Sequence, residues 1–500
     1  MLENWLLGIG QLGQWQVIFA MFAGVAMGIV VGAMPGLSGP TGLALMIPFT
    51  YILSPIVAIV LLISIYVGAE YGGSITAITI NTPGTPSGAI TAIDGYPMTE
   101  AGQTGRALSI SIMSSTTGGI FSTICLVLFS IPLAQFAIAF GPVQYFALGI
   151  FGLTIVASLV SGNWIKGVIA ALIGLLIETI GAEPMTGTQR FTFGQPALWE
   201  GVSFVSAMLG LFAITEVFLI IESEVKTRLK SKAKFTTERI SWREFAGLWK
   251  TLSISSVIGT IIGVMPGAGA SIGSIVAYNE AKRISPNHEK FGKGAPEGVC
   301  ASETANNATV GGALVPLLTL GVPGSGSTAI LLGALMLHNI SPGPQLFVKN
   351  PDIVYGIFTT LFLANFVMLF LGLKFIRLWL KVVEVSPPIL AALIFSVAFI
   401  GAFSVGGSVG DVVVMLIIGV LGYVLRKFKF PLIPLVIGLV LGELIEISLR
   451  RALILSDGSF QVFFTDPISL GLLIAAALSL IYAIVRDIRA AKAKQKFESL

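Results

Sequence analysis

Long apolar runs separated by short polar stretches follow one another along nearly the whole chain. Such runs occur, for example, at residues 17–33, 56–67, 146–160, 168–180, 202–221, 353–373, 389–403, 412–425, 432–444 and 468–485. A helix of about 20 apolar residues crosses the hydrocarbon core of a bilayer. The pattern therefore predicts an all-α polytopic membrane protein with about 10–12 membrane segments, some of them short or interrupted.

The composition supports this interpretation and excludes a soluble protein. Of the 500 residues, 55% are hydrophobic and 11% are charged, with a mean hydropathy of +0.92, whereas soluble domains carry roughly 25% charged residues. The first 16 residues contain no Lys or Arg and no small-residue cleavage site, so we expect no removable signal peptide. Cys125 and Cys300 lack the spacing of a metal site, and we expect both to be structural.

Basic residues concentrate in four polar segments that adjoin apolar runs, at residues 226–250, 374–381, 426–429 and 486–496. The positive-inside rule predicts that these segments are cytoplasmic. Their position beside predicted spans, without interleaved aromatic residues, argues against nucleic-acid binding. We therefore expect a first membrane repeat, a basic cytoplasmic linker, a second membrane repeat with an extra C-terminal span, and a basic cytoplasmic tail, at residues 1–221, 222–247, 248–485 and 486–500.

Two motifs that contain proline and glycine occur twice in the same order. The sequence GIVVGAMPG at 28–36 recurs as GTIIGVMPG at 259–267, an offset of 231 residues (259 − 28). The sequence PGTPS at 83–87 recurs as PGSGS at 323–327, an offset of 240 residues (323 − 83). The chain is therefore predicted to contain two similar halves, each with two Pro-Gly breaks.

The charge pattern predicts how the two halves are oriented. Counting spans back from the basic tail makes the loop at 341–352 external, whereas counting back from the basic linker makes the corresponding loop at 94–106, with Arg106, internal. Equivalent loops then face opposite sides of the membrane, as in the inverted-topology repeats of many secondary transporters. Arg450 and Arg451 fall in a loop that this scheme makes external, which argues against it.

A Pro-Gly break inside an apolar segment ends one helix and starts another. Such a break is tolerated in a membrane only where protein or a water-filled cavity surrounds it. We expect Pro35, Gly36, Pro266 and Gly267 to be helix-break or hinge residues. The free N–H groups and the positive dipole end of each new helix favour an anion, and nearby hydroxyls and amides add donors. The expected substrate-binding residues are Asn81, Thr82, Pro83, Gly84, Thr85, Ser87, Pro323, Gly324, Ser325, Ser327, Asn306 and Asn307.

These residues could also have purely structural roles. The tip hydroxyls could only cap their helices, and the four-residue spacing of Gly24, Gly28 and Gly32 could serve close helix packing alone.

Lys and Arg are nearly absent from the predicted spans, so a charged substrate would also need a co-transported cation. The candidates for ion coupling are Glu303, Asn306, Thr309 and Glu70. Oxygen ligands of this kind suit Na⁺, and Glu303 could instead carry a proton. We expect no cofactor and no metal other than Na⁺. Glu70 and Glu303 could alternatively lie in loops.

These motifs resemble the large membrane subunit of tripartite tricarboxylate transporters, the TctA family. The resemblance rests on GAMPGLSGPTG at 32–42, NTPGTP at 81–86, GVMPGAG at 263–269 and the long stretch from Asn306 to Ser325. It implies a permease of the bacterial inner membrane that imports citrate-like or other carboxylates with an ion gradient. Its implied partners are a small four-span membrane subunit and a periplasmic solute-binding protein. Where the family pattern has Pro-Glu-Ala, this chain has Ser302-Glu303-Thr304, which leaves the substrate open.

Two other functions compete with transport. Gly36-Leu-Ser38-Gly39 matches the Gly-x-Ser-Gly of rhomboid-type intramembrane proteases, with His338 as the candidate base. The repeat-equivalent sequence Gly267-Ala-Gly-Ala270 has no serine, so we expect the shared content to be backbone shape and the protein not to be an enzyme. No Walker A motif occurs, which fits transport without ATP. An ion channel is the third hypothesis.

Overall fold

The computed structural model describes residues 2–34, 36–159, 164–222, 238–375, 378–379 and 385–498. Within these residues the protein is almost entirely helical, apart from two paired two-residue strands. Nine of the described helices are long and apolar enough to cross a membrane, which confirms the predicted polytopic helical class. Most of the basic linker, with the predicted cluster of Lys226 to Lys234, lies outside the described residues, as does the hinge candidate Pro35.

The helices of the first half precede the linker. They are α1 Leu2–Gln11, α2 Trp15–Ala33, α3 Gly39–Thr50, α4 Pro55–Ile80, α5 Gly88–Glu100, α6 Thr104–Ala137, α7 Pro142–Leu159, α8 Trp164–Glu178 and α9 Phe204–Glu222, which contains a π-helical turn at Leu209–Ile214. Strands β1 Gly181–Ala182 and β2 Gln189–Arg190 pair between α8 and α9.

The remaining helices follow the linker. They are α10 Trp242–Ala246, α11 Trp249–Val264, α12 Gly269–Ile284, α13 Pro296–Leu320, α14 Gly326–Leu337, α15 Leu346–Lys349, α16 Pro351–Lys374, α17 Pro387–Gly406, α18 Val409–Lys427, α19 Leu432–Leu455, α20 Val462–Thr465 and α21 Pro467–Glu498. Single 3₁₀ turns occur at Pro196–Leu198 and His288–Lys290.

Helices α4 and α13 lie at the centre of the protein. The apolar window of α4 is buried on all sides, and α13 is buried from Gly298 to Thr319. Helix α4 packs mainly against α2, whereas α13 packs against α6, α11 and α12. A helix that is buried all round has no solvent-facing side, so the polar side chains on α13 must find partners inside the protein.

Glycines on α2 and α11 allow these helices to approach the central pair closely. A Cβ on Gly28 would overlap the backbone of Ile65 on α4, and a Cβ on Gly32 would overlap that of Ala69. On α11, Gly263 lies in the same way against Thr309 of α13. The four-residue glycine spacing therefore serves close helix packing.

Each half contains the two helix breaks that the sequence predicts. Gly36, between α2 and α3, has a φ angle of +90°, and Gly267, between α11 and α12, has a φ angle of +82°. These backbone conformations favour glycine. The two breaks of each half also contact one another. The amide of Gly267 donates to the carbonyl of Gly324 over 2.9 Å, and a Cβ on Gly84 would overlap the carbonyl oxygen of Gly32.

The apolar runs did not reveal two of the central helices. Helix α6 extends over 34 residues and α13 over 25, yet neither carries one of the apolar runs used for the prediction. Helix α13 is rich in Ser, Thr, Gly and Ala, whose small side chains lower the hydropathy of a segment without preventing burial. Helix α6 also contains such residues, but its most apolar part has a mean hydropathy of 2.0, similar to that of the other long spans. These two helices pack directly against each other.

Arg450, one of the two arginines that argue against the predicted orientation, has acidic partners. Arg450 lies 3.0 Å from Glu446 and 3.4 Å from Glu183, and Glu446 also pairs with Arg190 at 2.8 Å. The positive-inside rule counts Lys and Arg and gives Asp and Glu little weight, so Arg450 and Arg451 still argue against the predicted orientation.

We expect Gly32→Ala to destabilise the protein, because the added methyl group overlaps the α4 backbone, which cannot move independently. Overpacking of this kind typically lowers the free energy of unfolding by about 1–3 kcal/mol. Gly471→Ala is the matched control, since a Cβ there has nothing within 4 Å. Thermal unfolding of both variants in detergent measures the difference, and equal melting temperatures would contradict the close packing.

Candidate functional site

The carboxyl group of Glu303 is the centre of a buried polar cluster. Glu303 is completely buried within α13. Its Oε1 accepts hydrogen bonds from Ser74 of α4, at 2.5 Å, and from Thr91 of α5. Its Oε2 accepts from Ser111 and Ser115 of α6, at 3.0 and 2.9 Å. Hydroxyl groups from three helices therefore converge on a single carboxyl group.

This cluster, which we call the Glu303 cluster, extends to α12. The hydroxyls of Ser302 and Thr91 lie 3.0 Å apart, and Ser274 of α12 donates to the carbonyl of Ser302 over 3.0 Å. Within the described part of the chain, Glu303 forms no ion pair. A buried carboxylate without a cationic partner is costly even when it is hydrogen-bonded, so the geometry suits a carboxyl group that binds a proton or a cation.

Asn306 and Asn307 follow one turn later and are also buried. The amide nitrogen of Asn306 donates to the backbone carbonyl of Glu70 over 2.8 Å. The side-chain oxygen of Asn306 and both polar side-chain atoms of Asn307 have no hydrogen-bond partner among the described residues. Buried amide groups are normally paired, and leaving one unpaired costs roughly 1–3 kcal/mol. These three atoms are therefore available to a ligand.

The second Pro-Gly break leads into a well-formed helix start. Ser325 caps α14 in a capping box, in which its hydroxyl accepts from the amide of Thr328 at 3.2 Å and its own amide donates to the Thr328 hydroxyl at 2.7 Å. The Tyr66 hydroxyl of α4 lies 3.3 Å from the Ser325 hydroxyl. The capping alternative for Ser325 is therefore observed, and Tyr66 connects the tip of α14 to the other half of the chain.

The tip of α14 also faces the start of α3. Gly326 packs beside Pro40, since a Cβ on Gly326 would lie 3.2 Å from the proline ring. A Cβ on Gly39 would lie 3.1 Å from the Ser327 hydroxyl and 3.7 Å from Oε1 of Glu70. Two helix N-termini and a carboxyl group thus adjoin one small region, which also includes the carbonyl of Glu70 that Asn306 contacts.

The first Pro-Gly tip has a different environment. Thr85 and Ser87 are buried with their hydroxyls 3.1 Å apart, and the amide of Gly88 donates to Thr85 over 3.4 Å. Asn81 ends α4 with a φ of +54° and is exposed, and the Thr82 hydroxyl lies 3.3 Å from the carbonyl of Ile80. Pro83 is half-buried.

The predicted residues therefore form two groups. Ser325, Ser327, Glu70 and Asn306 lie together between α3, α4 and α14, while the Glu303 cluster adjoins α5. Among the described hydrogen bonds, none joins the two Pro-Gly tips directly. Pro323 and Pro266 are buried at the breaks. Thr309 bonds back to the carbonyl of Asn306 over 2.6 Å, so its hydroxyl is satisfied within its own helix.

None of the four hydroxyl donors to Glu303 is among the residues predicted to bind substrate or ion; they are Ser74, Thr91, Ser111 and Ser115. Ser111 and Ser115 are four residues apart and therefore share one face of α6. The run of Ser and Thr from Ser109 to Thr117, followed by an apolar stretch of the same helix, is the signal that could have identified them.

Asp94 of α5 was also missed, and it connects the two halves. Its Oδ1 accepts from the amides of Gly292, Gly294 and Ala295, at 2.8, 2.9 and 2.8 Å. Its Oδ2 accepts from the Tyr278 hydroxyl at 2.8 Å. A fully buried carboxylate of the first half thereby holds the loop that precedes α13.

The protease alternative lacks its catalytic pair. The Ser38 hydroxyl lies 3.2 Å from that of Thr41, whereas a ring nitrogen of His338 lies 3.4 Å from the hydroxyl of Thr50. A serine nucleophile needs a base within hydrogen-bond reach, and the described contacts of these two residues do not join them.

We expect Asp94→Ala to free the loop before α13. Hydrogen bonds to a charged group contribute about 1.5–3 kcal/mol each, so amide exchange at Gly292, Gly294 and Ala295 should become at least roughly tenfold faster. Hydrogen–deuterium exchange with mass spectrometry measures this change. Tyr278→Phe is the control, because it leaves the three amide bonds in place. Unchanged exchange in Asp94→Ala would show that other contacts hold the loop.

Comparison with known proteins identifies the family. The family model described as "Tripartite tricarboxylate transporter TctA family" matches residues 18–437. An uncharacterized 52.8 kDa protein in the TAR-I ttuC' 3' region of Agrobacterium vitis is 37% identical over 473 residues, which are 95% of this chain and 94% of the relative. An uncharacterized protein in the TAR-II ttuC' 3' region of the same organism is 38% identical over 231 residues, 46% of this chain and 96% of the relative. No solved structure matches the chain. The chain therefore belongs to the TctA family of tripartite tricarboxylate transporters, as a multi-pass, non-enzymatic transport subunit of the bacterial inner membrane.

Proposed function

We propose that the protein is the permease subunit of a secondary-active system that imports a tricarboxylate or related carboxylate, driven by a Na⁺ or H⁺ gradient. In this proposal a periplasmic solute-binding protein delivers the substrate, and a small membrane subunit completes the complex. The observation that carries it is the Glu303 cluster, a buried carboxyl group that forms no ion pair within the described part of the chain. One turn away, the amide groups of Asn306 and Asn307 include three atoms without a hydrogen-bond partner among the described residues.

The proposed substrate site lies between the tip of α14, the start of α3 and the amides of Asn306 and Asn307. A carboxylate there would meet the positive dipole ends of two helices. It would also meet the hydroxyls of Ser325 and Ser327 and the amide nitrogen of Asn307, a donor that has no hydrogen-bond partner among the described residues. Because the ionised Glu70 would repel a carboxylate, this site needs Glu70 to be neutralised by a proton or a cation as the substrate binds.

The proposed coupling residue is Glu303. Its hydroxyl neighbours can donate to an ionised carboxylate, and their oxygens can equally act as ligands for Na⁺ together with the carboxylate. Either a proton or Na⁺ at Glu303 would remove the uncompensated charge and stabilise the closed, buried cluster. Release of that ion toward the lower concentration would then favour a different arrangement of α5 and α13.

Helix directions support an inverted repeat in this proposal. Along α4 the contacts run from Glu70 to Ser74, while their partners on α13 run from Asn306 back to Glu303. Helices α4 and α13 occupy equivalent places in the two halves, so equivalent helices run antiparallel. An inverted-topology repeat requires this relation, and in such folds one unit moves against the other around a central site. The moving unit would be the pair of broken hairpins, at about 35–93 and 266–340.

The proposed orientation puts the basic linker in the cytoplasm. Arg239 of that linker donates to the carbonyl of Leu373 over 2.9 Å, at the C-terminal end of α16. With 24 residues, α16 is about 36 Å long, enough to cross the bilayer. Its N-terminal end, next to Lys349 and Asn350, is then periplasmic.

Replacing both tip serines, Ser325→Ala with Ser327→Ala, should weaken substrate binding, because two donors at the helix start are lost. We expect the KM for uptake to rise by roughly tenfold, equivalent to about 1.4 kcal/mol of binding. The assay uses proteoliposomes with the cognate small subunit and binding protein. Ser396→Ala is the matched control, since Ser396 is exposed and bonds only within its own helix. Unaltered uptake kinetics in the double variant would place the substrate elsewhere.

Replacing Glu303 by Gln should separate coupling from transport. Gln fills the same space but carries no charge and binds no proton, so gradient-driven accumulation should fall at least about tenfold while substrate counterflow without a gradient persists. Imposing Na⁺ and H⁺ gradients separately on the wild type identifies the ion. Wild-type accumulation by Glu303→Gln would refute a coupling role. Ion conductance without substrate would favour the channel hypothesis.

A further inference from the structure

A cavity of about 640 Å³ opens at the end of the molecule opposite the basic linker. Its walls come from α14, α19, the loop before α7 and the segment from residue 339 to residue 350. Binding cavities for small molecules measure roughly 300–1,000 Å³. The cavity is therefore large enough for a small organic anion with part of its hydration shell.

Two cations without ion-pair partners line this cavity. Among the described residues, Lys349 and Arg451 form no salt bridge, in contrast to the neighbouring Arg450, which binds Glu183 and Glu446. Asn339, Gln345 and Asn350 supply amide groups around them. Glu443 is the one carboxylate among the lining residues. The combination of an arginine, a lysine and amide donors is suited to carboxylates.

The inner wall of the cavity belongs to the second Pro-Gly break. Leu320 and Gly321, where α13 ends, contribute to it, as do Leu332 and Met336 of α14. The chain continues from Gly321 through Val322, Pro323 and Gly324 to Ser325. The cavity wall at Gly321 is thus four residues along the chain from Ser325 at the proposed substrate site.

We propose that this cavity is a vestibule that captures the carboxylate substrate before it reaches the α14 tip, with Lys349 and Arg451 as its binding cations. The proposal rests on the proposed function and names the site at which the substrate is loaded. Unpaired cations at the mouth raise the local concentration of an anion and its rate of arrival. Placing the cations at the mouth also avoids the free-energy cost of burying a charged Lys or Arg inside the membrane.

Protection of a cysteine from chemical modification tests the vestibule without requiring transport. Gln345→Cys, in a Cys125→Ser background, introduces an exposed thiol on the cavity wall. We expect citrate to slow its modification by a maleimide in the detergent-solubilised complex. In Lys349→Gln with Arg451→Gln, the citrate concentration for half-maximal protection should rise at least about tenfold. Lys374→Gln, which removes a cation from the opposite end of α16, should leave it unchanged.

A second variant distinguishes loss of the binding cations from misfolding of the double variant. Glu443→Gln removes the negative charge from the cavity, so it should lower the citrate concentration needed for protection. The effect has the opposite sign to that of the cation variants, and a folding defect cannot produce it.

Several results would overturn the vestibule. One is the absence of protection by citrate, succinate and tricarballylate at concentrations that saturate uptake, which would leave the proposed transport function intact. Another is unchanged citrate protection in the double variant combined with loss of uptake only when the binding protein supplies the substrate, because the cations would then dock that protein. Protection without any carboxylate uptake would support the vestibule and refute the proposed function instead.

Discussion

The structure depends on hydrogen-bond partners for the backbone N–H and C=O groups that are freed where helices break inside the membrane. Lipid offers no hydrogen-bond partners, so each interrupted helix must be closed by protein. In the first half the amide of Gly84, at the second break, donates to the carbonyl of Gly73 within α4 over 3.3 Å. In the second half the amide of Gly267, at the first break, donates to the carbonyl of Gly324, at the second break, over 2.9 Å. Such close approach requires glycine, because a Cβ on Gly84 would overlap the carbonyl oxygen of Gly32. The breaks are therefore stable parts of the fold, which is a condition for using their helix tips as a binding site.

The buried carboxyl group of Glu303 imposes the second constraint. Its four hydroxyl partners come from α4, α5 and α6, so three helices must keep their register relative to α13. This requirement explains why α6 combines the length of a membrane helix with a serine-bearing face. Among the described residues Glu303 has no basic partner, which fits the proposed coupling role: a permanent ion pair would neutralise Glu303 in every state, whereas hydroxyl groups leave its charge free to be set by an ion.

The sequence predicted the helical membrane class and the Pro-Gly breaks, because these depend on local composition and on repeated motifs, and it named Glu303 as a candidate for ion coupling. It could not reveal which helices bring hydroxyl groups to the carboxyl group of Glu303. Thr91, Ser111 and Ser115 lie about 190–210 residues from it, and no spacing rule connects residues on different helices. Helix α13 was missed because its burial comes from small residues rather than large apolar ones, whereas α6 contains a segment with a mean hydropathy of 2.0 that does indicate a span. Asn81 was expected at the site and is exposed, since its left-handed conformation ends α4 and directs the chain away.

Helix α5 connects the Glu303 cluster to the loop before α13. Thr91 and Asp94 are three residues apart and so lie on one face of α5. Thr91 donates to Glu303, whereas Asp94 holds the amides of Gly292, Gly294 and Ala295. A displacement of α5 relative to α13 therefore breaks both contacts together, and neither can be lost alone while the helix stays rigid. In the proposed coupling role, an ion bound at Glu303 would change the strength of the first contact and with it the stability of the second. A local charge at the centre of the protein is thereby linked to the loop at which α13 begins.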